Sequence, residues 1–364
     1  MKYEIVIDFI VDSEIKFIDT IQYEYYKASN GQIYYDEVQF EEGRISIRGN
    51  RTQAIDLENC WKSTKSNYKR CMLSSIFYVY NVYKQPIKIQ SITMTADGFI
   101  QPIPFSQEFT EQLPADFAID SLLIKNYLFK PVSQAELSNM LFRVLHPQVL
   151  YCRQKDFYSA YRLFNSVYTY MYRYHNDFKQ KNGDKRVDKE AIKDILKNPE
   201  ITRQLQKSIP LAKEFFLQNT KEIRSLLYTW IISEKIGPDS LSGIICYEDF
   251  GYKNGDVLQT INTILENYYQ VPSIGKMPQH FKSFKARLQR NQLSADTNIN
   301  YLQLIVLCAQ YRRNKILHGE NVDSTFFISD INAEILENIS DIVFQLGIDL
   351  VNHWDESDYI TVPL

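Results

Sequence analysis

The residues best equipped for chemistry lie late in the chain, in Arg313-Asn314-Lys315-Ile316-Leu317-His318. An imidazole titrates near neutrality, so it can take or give a proton at ordinary pH. A guanidinium stays charged and presents planar, forked donors to phosphate oxygens. Together they suit scission of a phosphodiester that carries its own nucleophile, as RNA does in its 2′-hydroxyl. Asn314 and His318 are four residues apart, so on a helix they share a face and the amide can orient the ring. Arg313 lies about 140° around from His318 at ~100° per residue, and a straight helix would point the two apart. The helix stop at Gly319 relaxes that divergence, and a facing copy from a second protomer would relax it further. The chain holds 5 histidines, so chance rarely places this pattern. The plainer alternative is an arginine that caps carbonyls at a helix end, with a histidine favoured there by the macrodipole.

The motif closes an apolar helix predicted over 300–314, in which Leu302, Ile305, Val306 and Leu307 are the apolar positions. Just upstream, Lys276 to Arg290 is basic, contains no acid, and interleaves Phe281 and Phe284. Lys282, Lys285, Arg287 and Arg290, with Arg312 beside the motif, are the candidate RNA contacts. A solvated helix face is the competing reading of such a run. His280 is the nearest other imidazole and is assigned to that basic surface.

The motif resembles the R-(N/H/Q)-x-x-x-H signature of the HEPN superfamily, and Gly319 extends the likeness. A β-rich front half followed by helices looks most like the Apea-type arrangement, in which a HEPN domain ends the chain. The likeness rests on about six residues and their helical context. It implies an all-α HEPN-like bundle at the end of the chain; with the strand patterns of the first ~110 residues, an α+β chain with an N-terminal antiparallel β-sandwich or sheet is expected. It also implies a metal-independent endoribonuclease whose site is shared across a homodimer, with Arg313, Asn314 and His318 contributed by each copy. His318 would act as general base or acid, Arg313 would stabilise the phosphorane, and Asn314 would hold the imidazole or a phosphate oxygen. No cofactor is called for. The resemblance further implies abortive anti-phage defence, with the front domain as a sensor or brake answering to a phage protein, a nucleic acid or a nucleotide. The alternative from a different class is a non-catalytic HEPN-like module for RNA or nucleotide binding, or for dimerisation. A toxin silenced by a partner antitoxin fits less well, because such toxins carry little beyond the bundle.

Further upstream, the pattern divides near residue 130. Residues 1–130 read as a β-rich domain with a connector, and 131–364 as a helical domain with the HEPN core at about 210–350. Tyr3, Ile5, Ile7, Phe9 and Val11 alternate with a second set, the period of a half-buried strand. Val38-Gln39-Phe40 and Ile45-Ser46-Ile47 flank Glu41-Glu42-Gly43-Arg44 as a hairpin would. Ser75 to Tyr80 is rich in strand formers, and Ile87, Ile89, Ile92 and Met94 continue the pattern. Residues 100–132, with four prolines, read as an extended connector. A short helix from Ala135 is predicted to end at Pro147. Phe157, Tyr161, Phe164, Val167, Tyr168 and Met171 then recur at helical spacing, which favours a helix core over a base-stacking platform. Further helices are predicted at 188–197, 210–235, 256–269 and 331–346. Lys179 to Glu190 reads as a charged loop, and Tyr359 to Val362 as a closing strand or a loose end.

Bulk composition narrows the classes. A chain of 364 residues accommodates two domains with separate cores. The net charge of −3 supplies no global basic field, so any RNA-binding surface must be local. The 5 cysteines are scattered without a C-x-x-C pair, which points away from a cysteine zinc site and toward a reducing cytoplasm. No signal-peptide core and no apolar run of membrane-spanning length is evident, so a soluble cytoplasmic protein is expected.

Overall fold

The computed structural model describes residues 1–63, 66–129, 135–175, 205, 207–218, 262–263, 265–267, 269–270, 276–290, 292, 302, 305–306, 309, 313 and 330–352. The chain forms two compact units: Met1–Gly183 with Phe344–Leu364, and Asp184–Val343. The chain therefore leaves the first unit, builds the second, and returns to the first. That division does not follow the composition change near residue 130, because two helices beyond it pack with the sheet unit.

In the first unit a single antiparallel sheet runs β2-β3-β4-β1-β5-β6. Its strands are β1 (Lys2–Val11), β2 (Asp19–Lys27), β3 (Ile33–Glu41), β4 (Arg44–Asn50), β5 (Ile87–Ala96) and β6 (Phe99–Pro102). The expected antiparallel sheet is thus present as one layer rather than as a sandwich. The alternation in β1 does what period two requires: Tyr3, Ile5, Ile7 and Phe9 are buried on one face. The β3–β4 hairpin turns at Gly43, whose φ of 73° suits a two-residue turn. Ile89 and Ile92 are three apart yet both buried, because the β1–β5 register slips between Asp8 and Phe9. The slip is a bulge that absorbs one residue and keeps both side chains inward.

The second layer begins with a correction. Ser75 to Tyr80, predicted as strand, lies within helix α1 (Asn67–Tyr83). Ser66 caps it, accepting from the backbone N–H of Lys69 at 3.3 Å. Lys84 ends it in the left-handed region at φ 57°, its N–H donating to Tyr80 O. No residue of the helix is exposed, so it has no solvent face to mark it as a helix. Tyr78 packs on Phe40 of the sheet at 5.2 Å between ring centroids, while Phe77 packs on Phe109 and Phe142 on the other side. Aromatic rings fill much of the space on both sides of this helix.

The region predicted as an extended connector contains β6, a 3₁₀ turn (Ala115–Phe117) and helix α2 (Ser121–Leu128), capped by Asp120. Helix α3 (Ala135–Gln154) does not stop at Pro147 but runs through it. Val144, Leu145, Val149 and Tyr151 are buried on both sides of the proline, and that packing outweighs one missing backbone hydrogen bond. Buried Gln148 reinforces the passage, exchanging amide hydrogen bonds with Asn81 of α1 and donating to Phe117 O. Helix α4 (Phe157–His175) carries the predicted stripe, with Tyr161, Phe164, Val167 and Tyr168 buried as core.

Helix α5 (Ser208–Gln218) and helix α6 (Gln279–Gln289) belong to the second unit. Helix α7 (Asp330–Asn352) begins there and ends in the first unit, running on past the predicted end at Leu346. Its final turns are gripped within the first unit. Phe344 stacks on Tyr151 at 4.2 Å and meets Phe117 edge-on at 4.8 Å. Gln345 donates to Asp116 O at 3.1 Å, and Asn352 donates to Ala118 O while accepting from the Asp120 N–H. Among the described residues no helix is long and apolar enough to cross a membrane. The predicted helix at 188–197, the later part of that at 210–235, the 179–190 loop and the closing 359–362 segment lie outside the described residues.

Candidate functional site

Five described residues outline the helix that leads into the motif. Leu302, Ile305, Val306 and Ala309 are helical and fully buried, and Arg313 is helical and half-buried. The spacing i, i+3, i+4, i+7, i+11 places Arg313 within about 40° of Leu302, Val306 and Ala309 and about 80° from Ile305. The arginine thus lies on the buried side of the helix and is itself only half-buried. Asn314, His318 and Arg312 lie outside the described residues.

Helix α6 places the basic cluster. Phe281 and Phe284 face inward, each 1% exposed, and Phe281 packs on Tyr269 at 6.1 Å. With that face fixed, the four cations cannot all converge. Counting about 100° per residue from Phe281, Lys282, Arg290 and Arg287 lie near 100°, 180° and 240°. Lys282 and Arg290 are exposed, whereas Arg287 is half-buried. Lys285 is committed to Glu266, with Nζ 2.6 Å from the carboxylate. Helix α6 therefore offers solvent chiefly Lys282 and Arg290, and the likeness to a uniform basic strip is reduced.

The sheet unit holds a charged constellation that sequence reading did not single out. Asp36 is fully buried on the inner face of β3, and Arg51 reaches it with two guanidinium nitrogens, both at 2.6 Å. The same guanidinium donates to Tyr3 Oη at 3.1 Å and lies over the rings of Tyr25, Tyr3 and Tyr68 at 3.6, 4.8 and 4.9 Å. A bulge in β2 between Glu24 and Tyr26 accommodates Tyr25 there. Burial works against the arginine's charge, yet its hydrogen bonds to the Asp36 carboxylate prevail and hold the guanidinium firmly protonated. Burial also pushes the Tyr3 hydroxyl far above its ordinary range. Both terminal nitrogens of Arg51 are engaged twice over, by Asp36, Asn50 O and Tyr3, so the cluster is a closed knot rather than a ligand site. Arg51 and Asp36 come from different elements, and nothing in local spacing announces their meeting.

A second ion pair joins Asp19 at the start of β2 to Lys125 of α2 at 2.7 Å, with the Tyr78 hydroxyl donating to the same carboxylate. Burial tends to raise the Asp19 carboxyl, but the bonds from Lys125 and Tyr78 overcome it and leave it below the usual range. Cys60, Cys71 and Cys152 are free thiols, each raised by burial and therefore poor nucleophiles. Among the described residues no group of three or more His, Cys, Asp or Glu side chains converges as a metal site would require. No family model, curated protein or solved structure matches this chain.

Proposed function

We propose that the protein is a metal-independent endoribonuclease of HEPN type. In this reading it acts as a homodimer in abortive defence against phage, with the sheet unit as sensor or brake. The observation that carries the reading is the Arg-Asn-x-x-x-His motif, whose half-buried Arg313 is helical and shares a helix side with buried Leu302, Val306 and Ala309. A half-buried cation has less freedom than a fully exposed one, and stabilisation of a developing phosphorane needs a positioned charge. His318 takes the proton from the 2′-hydroxyl, or supplies one to the leaving 5′-oxygen, and the products are a cyclic phosphate and a 5′-hydroxyl. Each chain brings one histidine in the motif, so a two-fold arrangement supplies both proton-transfer groups. Exposed Lys282 and Arg290 would hold phosphates of the strand.

One observation favours a second reading. Arg313 is half-buried on the buried side of its helix, which also suits a non-catalytic bundle that dimerises or holds RNA or a nucleotide. Labelled total RNA incubated in EDTA with wild type, Arg313→Ala and His318→Ala decides between them. The nuclease reading expects scission by wild type, ends carrying cyclic phosphate, and a loss of about 10²–10⁴-fold in each variant without a change in melting temperature. Equal cleavage by wild type and His318→Ala would remove the catalytic assignment. Absence of cleavage with retained RNA binding would support the second reading.

A further inference from the structure

The face of the sheet opposite α1 carries an open cleft of about 650 Å³. Cross-strand register explains its floor. Gln22 pairs with Glu37, Glu37 with Arg48, Arg48 with Glu4, and Glu4 with Thr95, so one row of side chains crosses five strands. Lys2 and Tyr35 lie on the same face one step further along their strands, and Asp97 closes the rim. The volume lies within the range of sites for small molecules.

The floor has a defined polarity. Arg48 is pinned, its Nε donating to Glu4 at 2.7 Å and Nη1 to Gln39 at 2.8 Å. Gln39 in turn donates to Oε1 of Glu37 at 2.7 Å, which fixes that carboxylate and leaves Oε2 without a partner among the described residues. A carboxylate only accepts hydrogen bonds, so Glu37 selects a ligand edge rich in donors. Tyr35 is 42% exposed and offers a ring face for stacking. Lys2 and Arg48 stand against Glu4, Glu37 and Asp97, so the lining is net negative and repels a polyphosphate.

These features together point to a neutral planar heterocycle with adjacent N–H donors. We propose that the cleft binds a guanine nucleoside, with the base on Tyr35 and its N1–H and exocyclic amine directed to Glu37. Guanine places two donors side by side, whereas uracil flanks its single N–H with carbonyl oxygens that a carboxylate repels. Gln22 and Lys2 remain to meet the carbonyl and the ribose hydroxyls. The assignment deepens the sensor reading of the sheet unit and rests on it only for its biological role.

Equilibrium dialysis of the full chain with guanosine, uridine, guanosine monophosphate, a short guanine-bearing oligoribonucleotide and glucose tests it. Guanosine should bind roughly tenfold or more tightly than uridine, and Glu37→Gln should abolish that preference. Tyr35→Ala should weaken guanosine binding by about fivefold or more. Both side chains are on the exposed face, so melting temperatures should not move. The free nucleoside and the oligonucleotide present the same base from two sources, and the Glu37-dependent preference in either supports the site. Three results would overturn it: no guanosine binding at millimolar concentration, glucose binding as tightly, or the monophosphate binding much more tightly than the nucleoside. Failure here leaves the RNA scission assay untouched. Guanosine binding that never alters scission would retain the site and remove its role as trigger.

Discussion

Arg51→Met removes one half of the knot between β3 and the chain after β4 while keeping much of the apolar stem. Asp36 has no exposed surface and Arg51 retains only 13% of its side-chain exposure, so solvent screens neither well. Truncating one partner of such a pair strands the other as a buried charge, which costs about 3–5 kcal/mol. Three tyrosine rings also lose a cation, each contact contributing roughly 0.5–1 kcal/mol where partly exposed. Against a total stability of about 5–15 kcal/mol, that is a large fraction. Asp36→Asn should cost less, because the remaining guanidinium keeps a route to water and three ring faces. The double variant should be less damaged than the two single losses added, with a coupling of about 2 kcal/mol. Urea unfolding of all four proteins, followed by circular dichroism, measures the cycle. Additivity within about 0.5 kcal/mol would refute the claim that the pair acts as one buried unit.

Two further outcomes follow from the packing and the charges. Gly347 of α7 lies so close to Leu163 and Phe164 of α4 that a Cβ would overlap the leucine methyl and press on backbone. Gly347→Ala should therefore cost about 1–3 kcal/mol, despite alanine's better helix propensity, and calorimetry would show a lowered melting temperature. A gain in stability would contradict that close approach. The Asp19 carboxyl is held below its unfolded value, so the folded state binds fewer protons there. Its contribution is complete above about pH 4 and is lost as pH falls through the lowered folded value. Asp19→Asn should consequently narrow the stability difference between pH 6 and pH 3, as read from denaturation midpoints at each pH.

Local periodicity was enough for β1, the β3–β4 hairpin and the α4 stripe, because each buries one face only and the buried residues repeat at the element's own period. Helix α1 defeated that logic. Enclosed on both sides, it has no polar face to betray its pitch, and its β-branched and aromatic residues mimic a strand. Pro147 misled for a related reason: the penalty is local, while the compensating burial of Val144, Leu145 and Val149 is tertiary. The charged knot and the polar row across the sheet depend on register between strands far apart in sequence, which no window of neighbouring residues contains. The Arg313 motif is the opposite case. It is legible from residue type and spacing alone, and the structure adds that its half-buried arginine lies on the buried side of its helix.

The return of α7 to the first unit has a consequence for biosynthesis. Tyr151 and Phe117 find their partner in Phe344, which the ribosome adds only after the whole second unit. At ~5–20 residues per second, that delay is roughly ten to thirty seconds. Throughout it the nascent sheet unit displays an uncovered apolar seam, a surface that chaperones would be expected to shield. Maturation of the front unit is thereby tied to completion of the segment that bears Arg313.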